Sequence, residues 1–197
     1  MPFDRTHNLV FNYRYETPKI SNYWKNTFTR LALDNWEIAG ITSMMSGSPS
    51  GLTYTLVSGA DITGASGSGV DSRVDLIGNV VLPKSEQTVA RMFNTDMVRS
   101  PDPAKFGIGN APKDVFRGPG INNWDITLAK NWPWGPNESR NVQFRFETYN
   151  TFNHTQFSTV DNAARFDAAG KQTNTLFGSY TGARDPRRVQ MGLKIRF

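Results

Sequence analysis

Residues able to do chemistry are few in this chain. Its 197 residues include no cysteine and only two histidines, His7 and His154. That removes disulfide frameworks, thiolate metal sites and cysteine nucleophiles, and leaves a histidine-rich metal centre without ligands. Both histidines fall at the edges of strand-like segments, and order along the chain does not identify a Ser/His/Asp triad. Asp71, Asp75 and the Asn94-Thr95-Asp96 group lack the spacing of a Ca²⁺ loop and read as solvated loop residues. Residues 58–69 carry glycines spaced like fragments of phosphate loops. No Gly-Lys-Ser/Thr follows them, so the segment reads as a low-complexity loop. The expectation is a chain that is not an enzyme and that takes no cofactor and no metal.

What remains is a set of polar and charged side chains at every second position. Arg188, Gln190, Gly192, Lys194 and Arg196 alternate with Val189, Met191, Leu193, Ile195 and Phe197. Arg145 and Glu147 alternate with Phe144 and Phe146 in the same way. A period of two specifies a strand with one apolar and one wet side. Residues 187–197 at about 3.3 Å each span roughly 36 Å, and a tilt of about 45° reduces this to about 26 Å of height. The apolar band of an outer-membrane barrel is about 25 Å tall. Residues 123–132 alternate Trp124, Ile126 and Leu128 against Asn123, Asp125 and Thr127; residues 8–16 alternate with Val10 as the exception. In the weaker stretch 35–46, Trp36, Ile38, Thr42 and Met44 can share a face. The elements that must position the charges are thus five long strands, near 7–16, 35–46, 122–132, 140–153 and 187–197. The fold class this implies is all-β, an antiparallel up-and-down transmembrane barrel segment with long extracellular loops.

Composition agrees once barrels are considered. Hydrophobic residues make up 38%, below the globular norm of roughly 45–50%, while aromatics reach 12%. The N-terminus carries charges at once and does not read as a signal peptide. The longest uncharged run, residues 38–60, contains Pro49 and four glycines and cannot be a transmembrane helix. Strands that alternate lower the mean hydropathy while still presenting an apolar wall. The net charge of +5 is spread along the chain, which speaks against a nucleic-acid partner.

Connections provide an independent test, because such barrels alternate short periplasmic turns with longer extracellular loops. Segments 47–121 and 155–186 are long, 133–139 is short and turn-rich, and 17–34 is intermediate. The last of these has Trp24, Phe28 and Leu31 at helical spacing, so one or two helical turns are expected there. Trp132, Trp134 and Phe197 would lie near the periplasmic boundary, where amphipathic rings form a girdle. Two other architectures satisfy part of the pattern. One is a secreted β-sandwich that binds carbohydrate through loop aromatics such as Tyr54 and Phe116. The other is a complete eight-stranded barrel, with its three further strands drawn from 52–57, 74–82 and 89–98.

Several blocks in order along the chain resemble one family. They are Asp4-Arg5-Thr6-His7-Asn8; Trp36-Glu37-Ile38-Ala39-Gly40-Ile41-Thr42 followed by Ser46-Gly47-Ser48-Pro49; Phe93-Asn94-Thr95; and Arg117-Gly118-Pro119-Gly120-Ile121-Asn122-Asn123-Trp124-Asp125. Arg145-Phe146-Glu147, Phe152-Asn153-His154 and Ala183-Arg184-Asp185-Pro186-Arg187 complete the set. Together they resemble the C-terminal end of an Oar-like TonB-dependent outer-membrane transporter. Gln190, Gly192, Ile195 and the terminal Phe197 also resemble the assembly signal of outer-membrane barrels. The resemblance implies energised uptake of a bulky substrate, with outer-membrane lipid, the barrel-assembly machinery, a plug domain and the TonB complex as partners. Members of that family have twenty-two strands, an export signal and a plug, so the expectation is that residues 1–197 are part of a larger barrel. Arg145, Glu147, Arg188, Lys194 and Arg196 would then face the lumen, paired with one another or contacting the plug.

Overall fold

A computed structural model describes residues 4–60, 73–105, 107–134 and 140–197. Residues 61–69 of the glycine-rich loop, Asp71 and turn residues 135–139 lie outside the described residues. Among the described residues thirteen strands follow in chain order: β1 (Asn8–Glu16), β2 (Trp36–Met45), β3 (Pro49–Ser50), β4 (Thr53–Leu56), β5 (Asp75–Leu76), β6 (Val98–Arg99) and β7 (Phe116–Arg117). Then come β8 (Ile121–Trp134), β9 (Arg140–Tyr149), β10 (Phe157–Val160), β11 (Ala163–Phe166), β12 (Tyr180–Ala183) and β13 (Arg188–Arg196). Between β1 and β2 lie a 3-10 turn (Ile20–Asn22) and a short α-helix, α1 (Thr27–Ala32). No helix among the described residues is long and apolar enough to cross a membrane.

The chain divides into two compact units. The unit made of Asn8–Met45, Ile121–Thr155 and Asp185–Phe197 is a five-stranded sheet of order β1-β2-β8-β9-β13, antiparallel throughout. Its strands are 9, 10, 14, 10 and 9 residues long. A tilted strand needs about 9–11 residues to cross a bilayer, whereas globular strands centre on about 5–6. Two boundaries differ from the sequence reading. β8 continues through Pro133 to Trp134, where a turn was expected. Pro133 pairs with Asn141 of β9, but β2 has already ended its pairing at Trp36↔Lys130, so no ladder on that side needs the missing proline N–H. β9 stops at Tyr149, because Asn150 and Asn153 both adopt left-handed backbone (φ 52°) that ends the extended run.

The other unit comprises Met1–His7, Ser46–Gly120 and Gln156–Arg184, the segments read from sequence as polar loops. Its described parts pack around a core of their own. Phe93, Val74, Phe166 and Ala164 are fully enclosed there, with Leu52, Tyr54, Val98, Phe116 and Phe177 beside them. β4 and β11 pair in parallel and so tie the two long segments together. Segments 52–57, 74–82 and 89–98 do contribute strand residues, in β4, β5 and the first residue of β6. These belong to separate two-stranded sheets, not to the long-stranded one. Tyr54 and Phe116 are 4% and 6% exposed, and the Tyr54 hydroxyl donates to the Gly107 carbonyl at 2.6 Å. Both are core residues and not loop aromatics available to a glycan.

Sequence blocks far apart in the chain meet in this unit. Arg117 forms an ion pair with Asp4 at 2.7 Å and donates to the Gly47 carbonyl at 3.2 Å, while Arg5 donates to the Ser46 carbonyl at 2.9 Å. A Cβ on Gly47 would run into the Gly118 backbone, so the Ser46–Pro49 and Arg117–Gly120 blocks need glycine for close approach.

Candidate functional site

Pairing register decides which side chains share a face, since directly opposed residues project to the same side. On one side, β1 places Leu9, Phe11, Tyr13 and Tyr15 in line with Trp36, Ile38, Thr42 and Met44 of β2. β8 adds Trp124, Ile126, Leu128 and Trp132, β9 adds Val142, Phe144 and Phe146, and β13 adds Val189, Met191, Leu193 and Ile195. Many of these apolar side chains lie open: Phe11 is 51% exposed, Met191 67% and Leu193 66%. So large an apolar area without protein cover marks a surface that meets lipid or a partner.

The opposite side is largely polar, with apolar exceptions such as Val10 of β1, Ile41 and Met45 of β2 and Ala129 of β8. Asn12, Arg14 and Glu16 of β1 lie beside Glu37 of β2; β8 contributes Asn123, Asp125, Thr127 and Asn131; β9 contributes Asn141, Gln143, Arg145, Glu147 and Tyr149. Arg188, Gln190, Gly192, Lys194 and Arg196 continue this face onto β13. All five charged residues singled out from sequence therefore lie on it. A hollow of about 570 Å³ spans four neighbouring strands there, lined by Asn12, Arg14, Asp125, Thr127, Arg145 and Glu147 among others. This hollow makes the polar side of these four strands locally concave.

Charges on the concave face are largely neutralised in place. Glu16 and Glu37 stand directly opposite each other, and Arg14 bonds both, at 2.8 and 2.9 Å. Arg145 pairs with Glu147 at 2.6 Å. Asn131 accepts from Asn141 and Gln143, each at 3.0 Å, linking β8 to β9 through amides. Asp125 accepts from the Asn123 side chain and the Asn150 backbone N–H, both at 2.9 Å. Arg188 pairs with Asp185. Lys194 and Arg196 form no ion pair among the described residues, which leaves two cations on the polar side of the outermost strand.

The terminal pattern distributes over both faces. Gln190 and Gly192 point to the polar side and Ile195 to the apolar side, with Phe197 in phase with Ile195 just past the strand end. β13 pairs with β9 on one edge only and every residue of it is exposed. β1 is the equivalent edge at the other end of the sheet.

One corner was not anticipated from sequence. Lys130 sits on the apolar face, 1% exposed, with its Nζ 5.4 Å from the Trp36 ring centre and 5.7 Å from that of Trp132. Its ammonium donates to the Asp34 carbonyl oxygen. The Trp36 indole donates to the Ala32 carbonyl and the Trp132 indole to the Leu31 carbonyl, both at 2.8 Å. Trp36 and Trp132 thereby satisfy two carbonyls at the C-terminal end of α1 that a helix leaves unbonded, and Lys130 bonds a carbonyl two residues past that end. At its other end, Asn26 caps α1 by accepting from the Thr29 N–H at 2.7 Å. Asp34 is buried and accepts from the Ser21 hydroxyl and the Ser21 N–H. The hydroxyl bond foremost, with the Ser21 and Ile20 amides and the Lys130 charge, outweighs burial and holds the carboxyl below the usual carboxylate range. The available signal was Lys130 itself, a charge where the alternation of residues 124–132 calls for an apolar side chain.

Carboxylates considered as ligands are engaged otherwise. Asp75 accepts from the Asn110 N–H at 2.9 Å, and Asp96 pairs with Arg91 at 2.8 Å. No cluster of three or more His, Asp or Glu suited to a metal occurs among the described residues.

Among known proteins, a family model described as an outer membrane beta barrel domain matches residues 1–190. No curated protein and no solved structure matches. The match covers nearly the whole chain, and long antiparallel strands with one apolar and one polar face are what such a domain requires. The chain belongs to the outer membrane beta barrel domain family, and the outer membrane is its location.

Proposed function

We propose that the five-stranded sheet is a sector of the wall of a TonB-dependent transporter, completed by further strands at its two open edges. Spanning barrels have at least eight strands. In this reading the apolar face meets lipid, the concave face lines the lumen, and the chain carries no reaction of its own. The observation that carries it is the concave polar face, where Arg14, Glu16, Glu37, Arg145 and Glu147 are already paired. A lining of this kind offers hydrogen bonds to water, to a plug or to a passing solute without free charges that would trap it. Lys194 and Arg196 are the cations left over for a plug domain. Sequence blocks that resemble Oar-like transporters also support the reading, because Asp4, Ser46–Pro49 and Arg117–Gly120 touch one another. The open edge of β13, ending in Gln190, Gly192, Ile195 and Phe197, suits capture by strand addition during assembly.

The test compares solute uptake, by untargeted mass spectrometry of the medium, in three strains of the parent bacterium: wild type, one lacking this gene and one lacking the TonB complex. Solutes left behind by the gene deletion are expected to be left behind without TonB as well. Uptake that needs this gene and persists without TonB would overturn the transporter reading while leaving the barrel intact.

A further inference from the structure

The geometry points to a second role for the connection between β1 and β2: residues 17–35 form a membrane-surface anchor that docks on anionic lipid headgroups. This rests on the reading of the apolar face as lipid-facing. Three observations carry it. First, the connection is fastened to the apolar side of the wall, through the Lys130, Trp36 and Trp132 bonds to the Asp34, Ala32 and Leu31 carbonyls. Second, it holds large apolar side chains out: Tyr23 is 83% exposed, Phe28 75%, Trp24 66% and Leu31 51%. Phe28 and Leu31 are three apart on α1 and so share a face. Third, its charges have one sign at the surface. Lys19, Lys25 and Arg30 are exposed, and the only acid in 17–35, Asp34, is buried against Ser21 and Lys130.

Exposed aromatics with cations and no exposed acid are the composition of a segment lying in the headgroup region, where rings take the apolar boundary and cations the phosphates. Such a segment is attracted to anionic lipid and weakly held by neutral lipid. The attachment corner is the end of the sheet where Trp134 pairs with Arg140, which is the end of the short β8–β9 connection and of the C-terminal residue. The anchor would therefore hold the wall at a fixed depth in the leaflet on that side.

The absence of cysteine allows single nitroxide labels. Phe28→Cys and, separately, Leu193→Cys would be labelled in the whole barrel that contains this sheet, reconstituted into vesicles of phosphatidylcholine with phosphatidylglycerol, reading collision with oxygen against a water-soluble nickel chelate. Both positions are exposed, so neither substitution touches the core. The expected result is lipid contact for both labels, with position 28 shallower than position 193. Free nickel access at 28 with lipid contact at 193 overturns the anchor and leaves the wall. Nickel access at both overturns the wall and the anchor with it. In phosphatidylcholine alone the label at 28 is expected to shift towards water, and a Lys25→Gln, Arg30→Gln pair to abolish that lipid dependence. Equal depth in the two lipids overturns the assignment to anionic headgroups.

Discussion

At the residue scale, Lys130, bonded to Asp34, shows how a charge survives on the apolar face of the sheet. Each is buried: the Lys130 bond runs from the wall to the connection before β2, and the Asp34 carboxylate bonds Ser21 within that connection. The Asp34 carboxyl titrates below its unfolded value, so its stabilising contribution is full above the ordinary carboxylate pKa and is lost as pH falls through the depressed one. Amide hydrogen exchange over residues 20–34, corrected for intrinsic rates, is expected to accelerate only in acid. Ser21→Ala should raise the pH of that transition, since it removes the bond that lowers the pKa most. Lys130→Ala leaves the Asp34 carbonyl without its donor, at a cost of about 1–3 kcal/mol by denaturant titration. Glycines divide in the same way. A Cβ on Gly40 would meet the Asp125 carbonyl at 2.7 Å and the Tyr13 hydroxyl at 2.5 Å, whereas one on Gly192 meets nothing within 4 Å. Gly40→Ala is expected to lower thermal stability, while Gly192→Ala leaves it unchanged. Lys130 was legible as a break in phase; its partner was not, because no periodicity links positions 34 and 130.

At the scale of elements, the long strands were legible because an apolar side and a polar side write a period of two directly into the chain. β1, β8, β9 and β13 follow that pattern with isolated exceptions such as Val10, which lies on the polar side next to Ser43, and Lys130; β2 follows it least, placing Ala39, Ile41 and Met45 on the polar side. Strand ends were less legible. Asn150 and Asn153 end β9 through left-handed backbone, and their side chains serve β13: Asn150 donates to the Asp185 carbonyl at 3.1 Å, and Asn153 accepts from the Arg187 N–H at 2.9 Å. Those bonds give a physical reason for the Phe152-Asn153-His154 and Ala183–Arg187 blocks seen in sequence. The unit built from Ser46–Gly120 and Gln156–Arg184 was read as polar loops because its strands are only two to four residues long. Too short to show a period, they are held by contacts distant in sequence, such as Phe93 against Phe116 (4.9 Å) and Phe177 (5.2 Å). Phe93→Ala is expected to cost that unit about 3–5 kcal/mol, read as protease cleavage within 46–120 while the long strands remain protected.

For the whole molecule, the property on which everything else depends is the sidedness of the sheet, one face apolar and one largely polar. The cysteine-free sequence makes β13 the place to test it, since the residues from Arg188 to Arg196 alternate without interruption. Single cysteines at Gln190, Met191, Leu193 and Lys194, in the protein folded into bilayers, would be challenged with a charged, membrane-impermeant maleimide after permeabilising the vesicles. The expected result is fast labelling at 190 and 194 and protection at 191 and 193, with denaturation restoring all four. Equal labelling at every position, or protection with the phase reversed, would contradict the assignment of the two faces.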